Sequence, residues 1–322
     1  MKILIAGGAG YIGSALVPKL MERGYEVDVI DLFWFGDHLP EGTGIIEGDV
    51  FELGEKDLEG YEQVIYLAGL SNDPMAEYSP SQNFISNAAA PAYLAYIAKN
   101  AGVRRFVFAG SCSVYGYTVN ELYDETSPAN CGYPYGISKL QGENSIMQLV
   151  DDSYSAISLR QGTVCGYSPR MRLDLVINTM FKTAMAKGEI VVNNPAIWRP
   201  ILSIQDAVDA YTRAIEVDYD ISGVFNVASG NYTVGELADV VMDVVSEKLE
   251  TQIKVKIKHI KDFRNYKVTV EKARNILSFK PKRSAEQIVM NLIDNFESFK
   301  DFDNPNYYNI EVFKLLAGGG RK

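Results

Sequence analysis

Residues 2–31 read KILIAGGAGYIGSALVPKLMERGYEVDVID. A short apolar run enters a glycine cluster, a pattern of helical period follows, and a second apolar run ends at Asp31. That order predicts strand, tight turn, helix and strand, about the length of one βαβ unit. The glycines fit two spacings: Gly8, Gly10 and Gly13 as G-x-G-x-x-G, or Gly7, Gly10 and Gly13 as G-x-x-G-x-x-G. Under either, missing side chains let the turn close and let backbone N–H groups approach a pyrophosphate. The helix N-terminus adds partial positive charge. A glycine-rich turn by itself needs no ligand, but this one follows a strand, opens a helix and precedes an acidic residue eighteen positions beyond Gly13. That is the context of a dinucleotide site. Asp31 would accept hydrogen bonds from the adenosine ribose hydroxyls and repel a 2′-phosphate. Leu32 and Phe33 bring no arginine to welcome one, so NAD is expected rather than NADP.

The same rhythm continues. GDV at 48–50 ends a third predicted strand, VIYLAG at 64–69 forms a fourth, and RRFVFAGS at 104–111 a fifth. Between the last two, SQNFISNAAAPAYLAYIAKNAG (81–102) reads as one long helix. Its small and aromatic residues cover more than one face, and the second apolar face is expected against another subunit.

The 322 residues suit two domains or one large α/β unit, and 47% hydrophobic with 22% charged residues is ordinary for a globular protein. A net charge of −10 argues against nucleic acid or an anionic membrane surface as the main partner. Cys112, Cys131 and Cys165 lack paired spacing, and His38 and His259 are the only histidines. No metal cluster is expected from that inventory. With no leader-like N-terminus and no apolar run of membrane length, a cytoplasmic protein is expected.

Further on stands GYPYGISKLQGENSIMQL (132–149), a helical pattern in which Tyr135 and Lys139 are four residues apart and so share a face. A half-buried tyrosine one turn from a solvated lysine is a common surface arrangement. Two neighbours make this pair chemical: the dinucleotide fingerprint upstream, and Ser111 at the end of a predicted strand, where ligands of such sheets bind. A phenol acting as a base near neutrality needs its pKa, ordinarily near 10, lowered by about 3, roughly 4 kcal/mol. One positive charge at about 4 Å, at an effective dielectric near 20, supplies about that much. Lys139 is one such charge, and an oxidised nicotinamide would be a second.

GGAGYIG, Ser111 and Tyr135-x-x-x-Lys139 together resemble the extended short-chain dehydrogenase/reductase family, in its NAD-dependent nucleotide-sugar epimerase/dehydratase branch. The resemblance covers Met1 to about residue 300. It implies an α/β fold, a Rossmann-type doubly wound parallel sheet with a smaller interleaved C-terminal domain. It further implies a bound NAD, a UDP- or GDP-linked sugar substrate and a homodimer. By the same resemblance Ser111 and Tyr135 contact the sugar hydroxyl being oxidised, usually at C4, Tyr135 removes its proton, and Lys139 holds the nicotinamide ribose and lowers the phenol's pKa. Gly7, Gly10, Tyr11, Ile12, Gly13 and Asp31 match the cofactor-binding turn. Asp49 and Val50 fall near adenine, and Leu67, Ala68 and Gly69 along the cofactor's middle. Asn87 matches a helix asparagine that supports the cofactor site. Asp49 equally reads as a turn residue, and Asn87 as a satisfied helix polar group. Ser71, Ser113, Thr163, Asn178, Arg199 and Arg264 match substrate-binding positions, the two arginines gripping the diphosphate through their planar forks.

The departures are also informative. Dehydratases of this branch carry an Asp-Glu pair after the strand-end hydroxyl residue, where this chain has Cys112 and Ser113, so dehydration is not expected. Oxidation at C4 with return of the hydride, a 4-epimerase, is the first expectation. Release of the keto sugar, as in GDP-heptose 4-dehydrogenases, is the second, and a non-catalytic NAD-binding regulator the third. Tyr66, Gly110, Thr163 and Ser203 differ from the common UDP-galactose 4-epimerase pattern. Arg170 and Arg172, in SPRMRLDLVIN (168–178), read equally as substrate contacts or as packing residues. Residues 1–166 with 199–228 are expected to form the NAD-binding domain, and 167–198 with 229–322 the sugar-nucleotide domain. GELADVVMDVVSEKL reads as an amphipathic helix, QIKVKIKHI as an exposed strand and LLAGGGRK as a flexible tail.

Overall fold

The computed structural model describes residues 1–258 and 265–318. In chain order the strands are β1 (Lys2–Ala6), β2 (Glu26–Asp31), β3 (Gly44–Glu47), β4 (Gln63–Tyr66), β5 (Arg105–Ser111), β6 (Tyr117–Tyr123) and β7 (Ser155–Gln161). They continue with β8 (Thr163–Cys165), β9 (Glu189–Asn193), β10 (Trp198–Ser203), β11 (Gly223–Val227), β12 (Gly230–Thr233), β13 (Lys254–Lys258) and β14 (Asn265–Val268). The helices are α1 (Gly13–Glu22), α2 (Asp73–Tyr78), α3 (Pro80–Phe84), α4 (Ala90–Asn100), α5 (Pro134–Met147) and α6 (Val176–Lys187). After them come α7 (Ile204–Glu216), α8 (Val234–Leu249), α9 (Glu271–Ile276), α10 (Ala285–Asp294) and α11 (Asn309–Gly318).

Seven strands form one parallel sheet in the order β3-β2-β1-β4-β5-β7-β11. This is the doubly wound Rossmann-type arrangement that the glycine turn and strand rhythm predict. The chain reverses its direction of travel across the sheet beside β1, and ligands of such sheets bind at the carboxyl ends of the strands there. Both faces are buried, which is why the strands read as continuous apolar runs. In β1, Ile3 and Ile5 pack with Leu16, Val17 and Leu20 of α1 and with α7, whereas Leu4 and Ala6 face α4 and α5. A separate apolar cluster joins β9 and β10 to α6, α8 and α10, with Phe181, Leu237, Val241 and Leu292 fully buried.

Two elements depart from expectation. The long helix of 81–102 is broken into α3, a π-turn at Ile85–Ala89, and α4. Pro91 has no N–H for the Asn87 carbonyl, and α5 approaches that carbonyl so closely that a Cβ at Gly142 would lie 2.3 Å from it. The closing LLAGGGRK is not wholly a tail, since Leu315 and Leu316 lie within α11 and residues 319–322 fall outside the described range. Of QIKVKIKHI, Lys254–Lys258 form β13, paired in parallel with β9. Among the described residues no helix is long and apolar enough to cross a membrane, and no three His, Cys, Asp or Glu side chains gather as a metal cage.

Candidate active site

The glycine turn sits at the carboxyl end of β1. Gly7 has φ +81°, and a Cβ there would lie 2.4 Å from the Ala68 amide nitrogen. At Gly13, a Cβ would lie 2.2 Å from the Gly8 carbonyl oxygen. Both positions therefore exclude a side chain for reasons internal to the turn. A cleft opens above it, lined by Gly10, Asp31, Asp49, Val50, Leu67 and Ala68 among others. Asp31 accepts N–H bonds from Ala9 and Phe33, each at 2.9 Å. Burial raises its pKa, and these backbone bonds oppose that rise. Asp49 lines the cleft and also caps the following turn, accepting from the Phe51 amide at 3.0 Å, so its two readings coexist.

Gly69, at φ +143°, continues the cleft wall, and a Cβ there would lie 2.3 Å from Asn87 Oδ1. Asn87 is fully buried in the π-turn; its Nδ2 donates to Leu70 O at 2.9 Å and to Asn83 Oδ1 at 2.8 Å, while its Oδ1 has no donor. It braces the cleft loop from behind. Tyr11 turns its hydroxyl away, donating to Gly166 O at 2.6 Å, so what it offers the cleft is backbone. Ile12 is the residue from which α1 starts.

At the carboxyl end of β5 the hydroxyls converge. Ser111 Oγ lies 3.0 Å from Ser113 Oγ and accepts from the Ser113 amide at 3.2 Å. Ser111 also stands near enough to Tyr135 on α5, and Ser113 to Tyr266 on β14, to oppose the rise of each phenol's pKa. Four hydroxyls thus form a row from Tyr135 to Tyr266. Lys139, one turn after Tyr135, is 5% exposed and donates to Ala109 O at 3.0 Å. Burial pushes its pKa down to about 7. Its Nζ stands 6.0 Å from the centre of the Tyr135 ring.

This corrects the expected electrostatics. Burial pushes Tyr135 up to about 12, opposed by the Ser111 hydroxyl and the charge of Arg172, with Asp73 adding to the rise. Lys139 is not among the groups that shift it. The ammonium is drawn to a main-chain carbonyl, and sequence spacing alone does not fix that choice. Tyr266 and Asp73 were missed in the sequence. Tyr266 comes from a strand 131 positions away from Tyr135, and Asp73 begins a helix that carried no motif.

The remaining positions divide. Arg199, on β10, lies 6.0 Å from the ring of Tyr266 and so belongs to the hydroxyl side. Thr163 is half-buried on β8, beside β10. Ser71 is bonded by Arg172 at 2.8 Å and by Asn309 at 3.0 Å. Asn178 does not have the position expected of a substrate contact: it is fully buried, accepts from the Gly166 amide at 3.0 Å and donates to Arg172 O at 2.7 Å. Arg264 lies outside the described residues. Two departures from the family pattern have structural causes. A Cβ at Gly110 would lie 2.6 Å from Ser158 Oγ, and Ser203 caps α7 by accepting from the Asp206 amide at 3.0 Å.

Helix α5 is fixed to the sheet from behind. Glu143 pairs with Arg160 of β7 at 2.6 Å and accepts from Ser158 at 2.7 Å, and both charged side chains are buried. Arg160 also donates to the Tyr115 hydroxyl at 2.9 Å.

A sequence model described as the NAD dependent epimerase/dehydratase family matches residues 3–228. UDP-glucuronic acid decarboxylase 5 of Arabidopsis thaliana is 29% identical over 296 residues, covering 88% of this chain and 85% of that protein. UDP-glucose 4-epimerase of Corynebacterium glutamicum is 26% identical over 273 residues, covering 79% and 83%. Among solved structures, MoeE5 in complex with UDP-glucose and NAD superposes with a TM-score of 0.80 at 26% identity, covering 91% of this chain and 98% of that one.

Proposed function

The chain belongs to the NAD-dependent epimerase/dehydratase family and is an NAD-dependent enzyme, and on that premise we propose that it is a nucleotide-sugar 4-epimerase. The observation that carries this reading is the approach of Ser111 and Tyr135 at the carboxyl end of β5, one helical turn from buried Lys139 and beside the glycine-lined cleft. The cleft fits the cofactor: glycines free the backbone N–H groups, Asp31 faces the same space, and Asn87 braces the wall. Gly7, Gly10, Gly13 and Asp31 would hold it, with Lys139 near its ribose.

When bound, NAD would supply the hydride acceptor, and in its reduced form the hydride donor, for C4 of the sugar. Tyr135 would take the proton of the C4 hydroxyl as its phenolate, with Ser111 beside it; since burial pushes the phenol up to about 12, that form requires the nearby positive charge of Arg172 and of the oxidised cofactor. Arg172 adds positive charge near the pair. Arg199 and Arg264 are assigned to the sugar-nucleotide's diphosphate, and Ser71, Ser113 and Thr163 to the sugar side. The apolar cluster of α6, α8 and α10 supports a division in which 167–198 and 229–322 form the sugar-nucleotide part. The solved relatives' complexes favour a UDP-linked sugar over a GDP-linked one.

A uronate substrate is the alternative that the decarboxylases' names indicate. The test is incubation with UDP-glucose, UDP-N-acetylglucosamine, UDP-glucuronic acid and GDP-hexoses, followed by chromatography and NADH absorbance. A C4 isomer without net NADH is expected. A keto sugar with stoichiometric NADH makes the enzyme a dehydrogenase, and a pentose from UDP-glucuronic acid makes it a decarboxylase; either outcome overturns the epimerase reading.

A further inference from the structure

Arg170 lies between β8 and α6, far in sequence from the glycine turn, yet it ends beside it. The residue is 2% exposed. Its backbone N–H donates to Ser14 Oγ, in the first turn of α1, at 3.2 Å. Its guanidinium lies 3.6 Å over the centre of the Phe35 ring and donates to Asn309 Oδ1 of α11 at 2.5 Å. The buried Nε–H has no acceptor. Phe35 lines the cofactor cleft together with Gly10 and Asp31, so this cation is packed on a ring of the cleft wall, near the first turn of α1.

No carboxylate neutralises it by direct contact among the described residues. Asp174, whose field it feels, gives both oxygens to Arg172, at 2.9 and 3.0 Å. Asp31, the other acid that acts on it, takes one N–H bond on each oxygen from backbone. Burial and the like charge of Arg172 push its pKa down to about 9, which leaves it charged at neutral pH. A buried cation without a bonded anion is costly, and the cost is relieved when an anion arrives.

We propose that Arg170 is the side-chain ligand of the cofactor's diphosphate, held in place by stacking on Phe35 and by Asn309 of the C-terminal helix. The glycine turn offers backbone N–H groups alone, and the guanidinium adds a charged donor on that side. Of the two phosphates a dinucleotide can carry, the bridging diphosphate is assigned and the 2′-phosphate is not, because Asp31 repels the latter. The Arg170–Asn309 bond also explains why the chain's last helix packs over the cleft, with Phe313 against Trp34 and Tyr78 at 5.9 Å each.

The test is calorimetric titration of nucleotide-stripped protein with adenosine, ADP-ribose and 2′-phosphoadenosine, comparing wild type, Arg170→Met, Arg170→Lys and Asn309→Ala, with circular dichroism as a check on folding. Arg170→Met should weaken ADP-ribose binding on the order of 10- to 100-fold and leave adenosine unchanged. Arg170→Lys and Asn309→Ala should give smaller losses with the same selectivity, and they carry the test if Arg170→Met fails to fold. Equal losses for adenosine and ADP-ribose would show a packing role and overturn the proposal. So would unchanged ADP-ribose affinity, or a loss confined to 2′-phosphoadenosine.

Discussion

The two sides of the cleft are built in different ways. The floor, from Gly7 to Gly13 with Asp31, consists of backbone: its shape comes from positive φ at Gly7 and from contacts too close for any Cβ. Beside it stands a wall of side chains: Tyr135, Ser111, Ser113 and Tyr266 in a row of hydroxyls, and Arg170, Asn309, Ser71 and Arg172 in a belt of hydrogen bonds. Backbone geometry is set by neighbours in sequence. A side-chain wall requires segments from across the chain to arrive together, and it can change its chemistry without disturbing the floor.

If the two sides are separable, the largest effect should come from removing a wall hydroxyl while the floor continues to bind. Tyr135→Phe is expected to lower turnover by about 10²–10⁴-fold with NAD affinity unchanged, read by steady-state kinetics beside calorimetry. A comparable loss of NAD affinity would merge the two regions. Next is the pair that anchors the wall. Glu143→Gln leaves Arg160 charged and buried, and should cost about 3–5 kcal/mol in urea unfolding; a cost below about 1 kcal/mol would mean that α5 is held by apolar packing alone.

Lys139 sharpens the comparison through pH. Its folded pKa, about 7, lies below the 10.5 of an ordinary lysine, so between those values the unfolded chain binds a proton that the folded one does not. Stability from this group therefore rises with pH across that window. Lys139→Met should make the NAD-free protein more stable by a few kcal/mol at pH 7 and below, with the gap closing as pH approaches 10.5. A gap independent of pH would mean that the ammonium is well solvated. The smallest expected effect falls on the floor: Gly7→Ala, strained in φ and crowded against Ala68, should cost about 1–3 kcal/mol in urea unfolding. Unchanged stability would mean that the turn accepts a side chain and that its shape is not set by close contact.

The parts legible in the sequence follow this division. The parallel sheet, the glycine turn, Asp31 and the Tyr135–Lys139 face were all readable because each is encoded by residues within one element or one turn of it. The break at Asn87 was harder to see, since it depends on α5 approaching a carbonyl that Pro91 leaves open. Nor did spacing show that Lys139 would donate to Ala109 rather than sit against the phenol. Asn178 matched a motif by position, but its amide is consumed by Gly166, Arg172 and Tyr11.

By itself the sequence determined the strand order's raw material, the cradle for a dinucleotide and the shared helix face of Tyr135 and Lys139, because apolar period, glycine spacing and helical period act over a few residues. Only the tertiary structure decided that Arg170 meets Asn309, 139 positions away, and that Ser71 meets Asn309 across 238. Hydrogen bonds between side chains depend on direction and on distances of a few ångströms. No local pattern records which distant segments the packing of the sheet and helices will bring within that reach.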